Sequence, residues 1–166
     1  MDCGINLHRK DAKGAKRKFF PFCGEGRKEN IIPFSKSERM DINKFSNRII
    51  GAAIEVHKTL GPGLLESTYE QCLCHELNLR ELSFERQKEL PVVYKGIKLD
   101  CGYRLDIVVE NAIILELKSC EKIEPIHKAQ LLTYLKLSGI SLGLVLNFNM
   151  AIMKDGIVRV VNEFKE

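Results

Sequence analysis

Tyr103-Arg104-Leu105-Asp106-Ile107-Val108-Val109-Glu110-Asn111-Ala112-Ile113-Ile114-Leu115-Glu116-Leu117-Lys118 reads as two apolar β-type runs joined by a turn. Glu110-Asn111 is turn material between runs rich in Ile, Leu and Val. Beyond Arg104 near the start, three charged residues interrupt these runs: Asp106, Glu116 and Lys118. A charge inside a buried strand is costly unless it is paired or binds a metal. The first question is therefore whether the three meet.

Parity answers it. Residues directly opposite in an antiparallel pair share a face, and faces alternate along each strand. A two-residue loop at Glu110-Asn111 would set Asp106 opposite Leu115 and send Glu116 to the other face. A three-residue loop, Glu110 to Ala112, sets Asp106 opposite Glu116. Leu105, Ile107, Val109, Ile113, Leu115 and Leu117 then share one wholly apolar face. Arg104, Asp106, Val108, Ile114, Glu116 and Lys118 share the other. Register follows the hydrophobic pattern, so the three-residue loop is expected. It brings two carboxylates and an ammonium together. Hard oxygen ligands suit Mg²⁺ or Mn²⁺, and a nearby Lys orients water or stabilises charge on a phosphate. The plainer reading of the same residues is a salt bridge on a half-exposed sheet, which short motifs often turn out to be.

The rest of the chain gives these runs a setting. A helical apolar stripe (Ile42, Phe45, Ile49, Ile50, Ala53, Ile54, Val56) runs to about Leu60, capped by Asp41 or Asn43. Gly61-Pro62-Gly63 breaks it. A second helix runs from Leu64 to about Arg80, with Leu65, Tyr69, Cys72, Leu73 and Leu77 as apolar positions. Ser83–Tyr94 and Lys98–Val109 read as strands around a Lys95-Gly96 turn, and Ala112–Ser119 continues the sheet. Pro125 opens a third helix with Leu131, Leu132, Leu135 and Leu137 as core, and Gly139 ends it. Ser141–Asn147 is a buried strand, Asp155-Gly156 a turn, and Ile157–Val161 a last strand. The order predicts an α/β fold, a mixed β-sheet flanked by helices.

Composition excludes several classes. With 45% apolar and 29% charged residues in 166, the chain reads as one ordinary globular domain. No apolar stretch approaches the ~18 residues of a membrane span, so no membrane partner is expected. The first residues hold no signal-peptide segment, which makes the cytoplasm the expected compartment. Six cysteines without a C-x-x-C pair read as reduced packing thiols. The net charge of +4 is uneven: residues 1–40 hold ten Lys or Arg and five Asp or Glu, while the remainder carries −1. Residues 1–40 show no period and read as a basic, flexible extension ahead of a domain over residues 41–166.

Two helices carry further candidates. Glu66 and Tyr69 lie three apart on the second helix, one turn after Gly63. His127, Gln130 and Tyr134 form a polar stripe on the third, opposite its leucines. Tyr69 serves equally well as a core residue, and His127 as a cap on the helix start. His57 reads as a buried hydrogen-bonding His.

Gly63-Leu-Leu-Glu66-Ser-Thr-Tyr69 matches the pattern that names the GxxExxY proteins. Asp106, Glu116-Leu-Lys118 and Gln130-Leu-Leu-Thr-Tyr134 resemble the motifs of the PD-(D/E)XK nucleases, in the branch with Gln-x-x-x-Tyr. The resemblance covers about residues 41–162. It implies a restriction-endonuclease-like core, with Glu66, Asp106 and Glu116 as metal ligands and Lys118 as the catalytic lysine. Gln130 and Tyr134 would position the nucleic acid, DNA more readily than RNA, with Tyr69 and His127 beside them on the substrate. The implied activity is Mg²⁺- or Mn²⁺-dependent hydrolysis of DNA phosphodiester bonds. The alternative is a non-catalytic nucleic-acid-binding or protein-interaction module that keeps the fold. The sequence leaves the oligomeric state open.

The extension generates one expectation. A chain that starts at Met40 should melt cooperatively close to the full-length temperature. A loss of many degrees would mean that Phe19, Phe20 and Phe22 complete the core.

Overall fold

The computed structural model describes residues 42–162, apart from the side chains of residues 100 and 101. The expectations for residues 1–40, including the Phe19-Phe20-Pro21-Phe22 segment, lie outside the described residues. So do those for Asp41, Cys3, Cys23 and Cys101; Cys72 and Cys120 are free thiols. Among the described residues, no helix is long and apolar enough to cross a membrane.

The elements follow in the expected order: α1 (Ile42–Leu60), α2 (Glu66–Leu79), β1 (Phe84–Tyr94), β2 (Ile97–Val109), β3 (Ile113–Lys118), α3 (Pro125–Ser138), β4 (Leu142–Asn147) and β5 (Ile157–Val161). A single 3₁₀ turn, Met153–Gly156, takes the place of the expected Asp155-Gly156 turn. The five strands form one sheet in the order β1-β2-β3-β4-β5. All neighbours are antiparallel except β3 and β4, which run parallel and are joined through α3. The sheet is therefore mixed, as expected, and helices cover both of its faces.

One face meets α1 and α2. Ile107, Val109, Ile113, Leu115, Leu117, Leu142, Leu144 and Leu146 pack there against Ile49, Ala52, Ala53, Tyr69, Leu73 and Leu77. The other face meets α3, where Val108, Ile114 and Val145 pack against Leu131, Tyr134 and Leu135. β3 and β4 are sandwiched between these layers and are buried on both faces almost from end to end. Each such Leu, Ile or Val contributes about 1.5–3 kcal/mol on leaving water.

Helix faces differ from the expected ones at three leucine and tyrosine positions. Leu65 precedes α2 as its N-cap and is 75% exposed, and Leu137 faces solvent near the end of α3. Tyr134, expected opposite the leucines, is buried with them. His57 is buried as expected, its Nε2 2.7 Å from the Met150 carbonyl oxygen.

The hairpin has the expected three-residue loop. Ile107 faces Leu115, Val108 faces Ile114 and Val109 faces Ile113. Extending this register sets Asp106 opposite Glu116. Glu110 and Asn111 turn the chain with φ of 51° and 50°, in the left-handed region that few residues other than glycine adopt freely. Glu110 is held there by Ser83: its N–H donates to the Ser83 carbonyl at 2.9 Å, and its carboxylate accepts the Ser83 N–H at 2.8 Å.

One part of the parity pattern fails. Leu105, expected beside Ile107, packs with the α3 cluster, and the Tyr103 ring lies 5.3 Å from that of Tyr134. The alternation breaks at Asp106. Opposite it, Gln87 takes a φ of 51°, and the Gln87–Asp106 pair is missing from the ladder. Such irregularities bend a strand and re-aim a side chain.

Gly143 sets how closely α3 approaches the sheet. A Cβ there would lie 2.8 Å from Leu131 Cγ and from both of its methyl carbons. Rotating one methyl away cannot relieve that contact. Gly143→Ala should cost about 1–3 kcal/mol of stability by chemical denaturation. With Leu131→Ala added, the combined loss should fall short of the sum of the two single losses, because the clash is gone.

Candidate active site

Asp106 enters the site from β2, and Glu116 and Lys118 from β3. Strands β2 and β3 diverge where their ladder ends, so the main chain at Leu117 needs another partner. Asp106 provides it: Oδ2 accepts the Leu117 N–H at 2.8 Å. Lys118 Nζ donates to Glu116 Oε1 at 2.7 Å, although alternation along β3 already sets both on one face. Glu116 Oε2 is buried and has no hydrogen-bond partner among the described residues. A buried carboxylate oxygen left unpaired costs about 1–3 kcal/mol or more, so its persistence calls for an explanation.

The charges respond to this crowding. Burial, reinforced by the neighbouring Asp106 carboxylate, pushes Glu116 up to about 7. Burial also raises Asp106, against the Leu117 N–H and Lys118, which favour its ionised form. For Lys118, burial disfavours the ammonium, but the bond to Glu116 and three surrounding carboxylates outweigh it and hold the pKa above the ordinary lysine value. Tyr134 is raised by burial and by Glu116, although the bond from Gln130 favours its ionised form.

Glu66 is the first residue of α2 and is exposed. Its charge is felt by Asp106, Glu116 and Lys118. Its Oε1, however, accepts the Ser119 N–H at 3.0 Å, just beyond β3. Among the described residues, no three His, Cys, Asp or Glu side chains converge as a metal cage. The structure thus gathers Asp106 and Glu116 but leaves Glu66 at the rim. Two carboxylates still suit a hard divalent cation, because Mg²⁺ usually takes only one or two from the protein and completes its shell with water and phosphate oxygens. The orphaned Glu116 Oε2 is the observation that fits such an ion.

The substrate-side residues divide. Gln130 Nε2 donates to the Tyr134 hydroxyl at 2.6 Å, and Tyr134 lies close enough to feel the charges of Glu116, Lys118 and Asp106. His127 sits at the helix start: its Nδ1 accepts the Glu124 N–H at 3.1 Å, closing a capping box. Tyr69 does not reach a substrate. It is wholly buried, stacked on Phe148 with ring centroids 4.5 Å apart. Its hydroxyl donates to the Gly61 carbonyl at 2.7 Å and accepts the Leu64 N–H at 3.1 Å, so it pins the loop that leads into Glu66. An aromatic position on an amphipathic helix belongs to the core, and here its polar tip finds backbone.

Three residues that the sequence reading passed over support the site. Ser119 Oγ donates to the Leu64 carbonyl at 2.7 Å, tying the end of β3 to the loop before α2. Asn147, wholly buried, accepts the Cys120 N–H at 3.2 Å and donates to the Cys120 carbonyl at 2.8 Å. Glu70 is buried beneath the hairpin, where Arg86 and Gln87 donate to it. Asn147 had a sequence signal, a polar residue ending an apolar run. Glu70 had none, since one Glu on a helix reads as surface.

Residues 43–160, well over half of the chain, match the family model of the PD-(D/E)XK nuclease superfamily. The chain belongs to that superfamily, and its mixed sheet between helices agrees with a restriction-endonuclease-like core. Among curated proteins and among solved structures, none matches it.

The raised Glu116 pKa sets a pH dependence. The folded value, about 7, lies above the ordinary 4.5, so between them the folded chain binds more protons than the unfolded chain. Metal-free stability should therefore fall as pH rises from about 4.5 to about 7. Asp106, also raised, adds in the same direction. In urea melts with EDTA, Glu116→Gln should flatten much of this slope; an unchanged slope would mean that Glu116 does not carry it.

Proposed function

We propose that this domain is a divalent-metal-dependent nuclease of the GxxExxY group that hydrolyses DNA phosphodiester bonds. The buried, unpartnered Glu116 Oε2, set beside Asp106 and Lys118, carries the reading. Mg²⁺ or Mn²⁺ bound by Asp106 and Glu116 would supply Lewis-acid polarisation of the phosphate and a more acidic water. Glu66, at the rim, assists through a water.

The chain's own groups do the rest. The Lys118 ammonium, held by Glu116 Oε1, stabilises charge that develops on the phosphate and orients the attacking water. Gln130 fixes the Tyr134 hydroxyl, which together with Gln130 meets the phosphate backbone next to the scissile bond. His127 holds the start of α3 and so the approach of that pair. Attack is direct and in line, without a covalent enzyme intermediate. Ser119 Oγ is bonded to a carbonyl and Cys120 Sγ to the Lys122 carbonyl, so neither is paired with a base as an activated nucleophile.

The second reading, a non-catalytic nucleic-acid-binding or protein-interaction module, draws support from Glu66, which does not join Asp106 and Glu116 to complete a three-ligand cluster among the described residues. Incubation with plasmid and with single-stranded DNA, in Mg²⁺ or Mn²⁺ and then EDTA, separates the two: binding without metal-dependent cleavage favours the module.

Calorimetric Mn²⁺ titration of variants tests the roles. Asp106→Asn keeps an acceptor for the Leu117 N–H and removes one of two crowded charges. It should weaken Mn²⁺ binding at least roughly tenfold, abolish cleavage and leave the metal-free domain slightly more stable. Lys118→Ala should keep Mn²⁺ binding while turnover falls roughly a hundredfold or more. Wild-type Mn²⁺ affinity in Asp106→Asn would remove Asp106 from the ligand set.

A further inference from the structure

The hairpin of β1 and β2 outgrows the sheet. β3 has six residues, and its ladder with β2 ends at Ile107 and Leu115. β1 and β2 remain paired with each other as far as Tyr94 and Ile97. α3 covers the first part of this extension, where Leu90 is buried and Tyr103 meets Tyr134. Beyond Pro91 the ribbon stands with Val93, Tyr94 and Ile97 each 60–67% exposed. A bare two-stranded ribbon is marginal in water, and apolar side chains at its tip point to a contact.

Charge points to the occupant. Between Glu89 and Asp100, residues 90–99 hold two lysines and no acid, whereas residues 41–166 together carry −1. Lys95 and Lys98 are exposed, and Lys95 Nζ lies 5.3 Å from the Tyr94 ring centroid. The tip turns through Lys95 and Gly96 with φ of 50° and 81°, the two positive values of a tight hairpin turn, so it presents its lysines on a defined frame.

Position completes the case. The ribbon starts at Asp106 itself, and Ile97 lies nine residues further from the loop along β2. At ~3.3 Å per residue the tip stands about 30 Å from the carboxylates, the length of roughly nine base pairs of duplex. The major groove of B-DNA admits a two-stranded β-ribbon, whereas that of duplex RNA is too narrow for one.

We propose that the distal β1–β2 ribbon is an arm that grips duplex DNA about one helical turn away from the site, with Lys95 and Lys98 on phosphates and the cross-strand pair Tyr94 and Ile97 against the groove wall. It rests on the nuclease reading and assigns that site a double-stranded substrate.

Fluorescence anisotropy of the full chain with a duplex of about 30 base pairs, in EDTA over a salt series, tests the arm. Lys95→Ala/Lys98→Ala should lower affinity at least roughly tenfold at low salt and flatten the slope of log affinity against log salt by about one to two. Lys95→Arg/Lys98→Arg should restore both, and Mn²⁺ titration should be unchanged in either variant. Wild-type affinity and slope in the alanine variant would overturn the arm while leaving metal-dependent cleavage by the wild type standing. Duplex binding that needs the lysines but never leads to cleavage in Mn²⁺ would uphold the arm and remove the nuclease reading. A wild-type dimer in sedimentation that the alanine variant dissolves would overturn the arm in favour of a contact with a second copy of this chain.

Discussion

The Asp106 carboxylate accepts the Leu117 N–H at the point where two strands part, and much of the molecule is arranged around that bond. A side chain from β2 replaces the carbonyl that the ladder no longer offers. This holds the end of β3 next to β2, and with it Glu116 and Lys118. The bond also fixes one oxygen of Asp106 and leaves the other outside that contact. Below it, the buried Glu70 receives Arg86 and Gln87 and keeps the bent part of β1 in place opposite Asp106. Structural and chemical demands thus fall on one carboxylate.

The same end of the sheet is closed by a second set of backbone contacts. Ser119 joins β3 to the loop before α2, Tyr69 clamps that loop from inside, and Asn147 holds Cys120 from β4. Phe148, stacked on Tyr69, donates its N–H to the Lys118 carbonyl at 2.9 Å. Each residue near Lys118 is therefore constrained from at least two elements. A site that has to place an ammonium and two carboxylates within a few tenths of an ångström gains from such support, since loose outer contacts translate directly into misplaced charges.

Much of this was legible in the sequence where periodicity is strict. The apolar faces of the hairpin fixed the three-residue loop, because a one-residue slip would have buried Glu116 among leucines. Pro125 and Gly139 marked α3 for backbone reasons that need no tertiary context. Other features were not legible. Leu105 changed sides because Gln87, a residue with no preference for positive φ, bends the ribbon under the pull of Glu70. Tyr69 and Tyr134 are both buried, since an amphipathic tyrosine pattern does not say how deep each ring sits. Glu66 sits close in sequence pattern to a ligand, yet its reach was decided by Ser119, one residue past the strand.

The double-sided burial of β3 and β4 has a consequence for how the domain opens. Amide hydrogens in strands enclosed on both faces exchange only when the whole domain unfolds, whereas those of a two-stranded ribbon exchange by local fraying. Glu116 and Lys118 are mounted on the former, and Lys95 and Lys98 on the latter. The chemistry end is thus the last part to yield and the outlying hairpin among the first. Substitutions in the outlying hairpin should therefore cost little global stability, whereas those beside the carboxylates should cost much more.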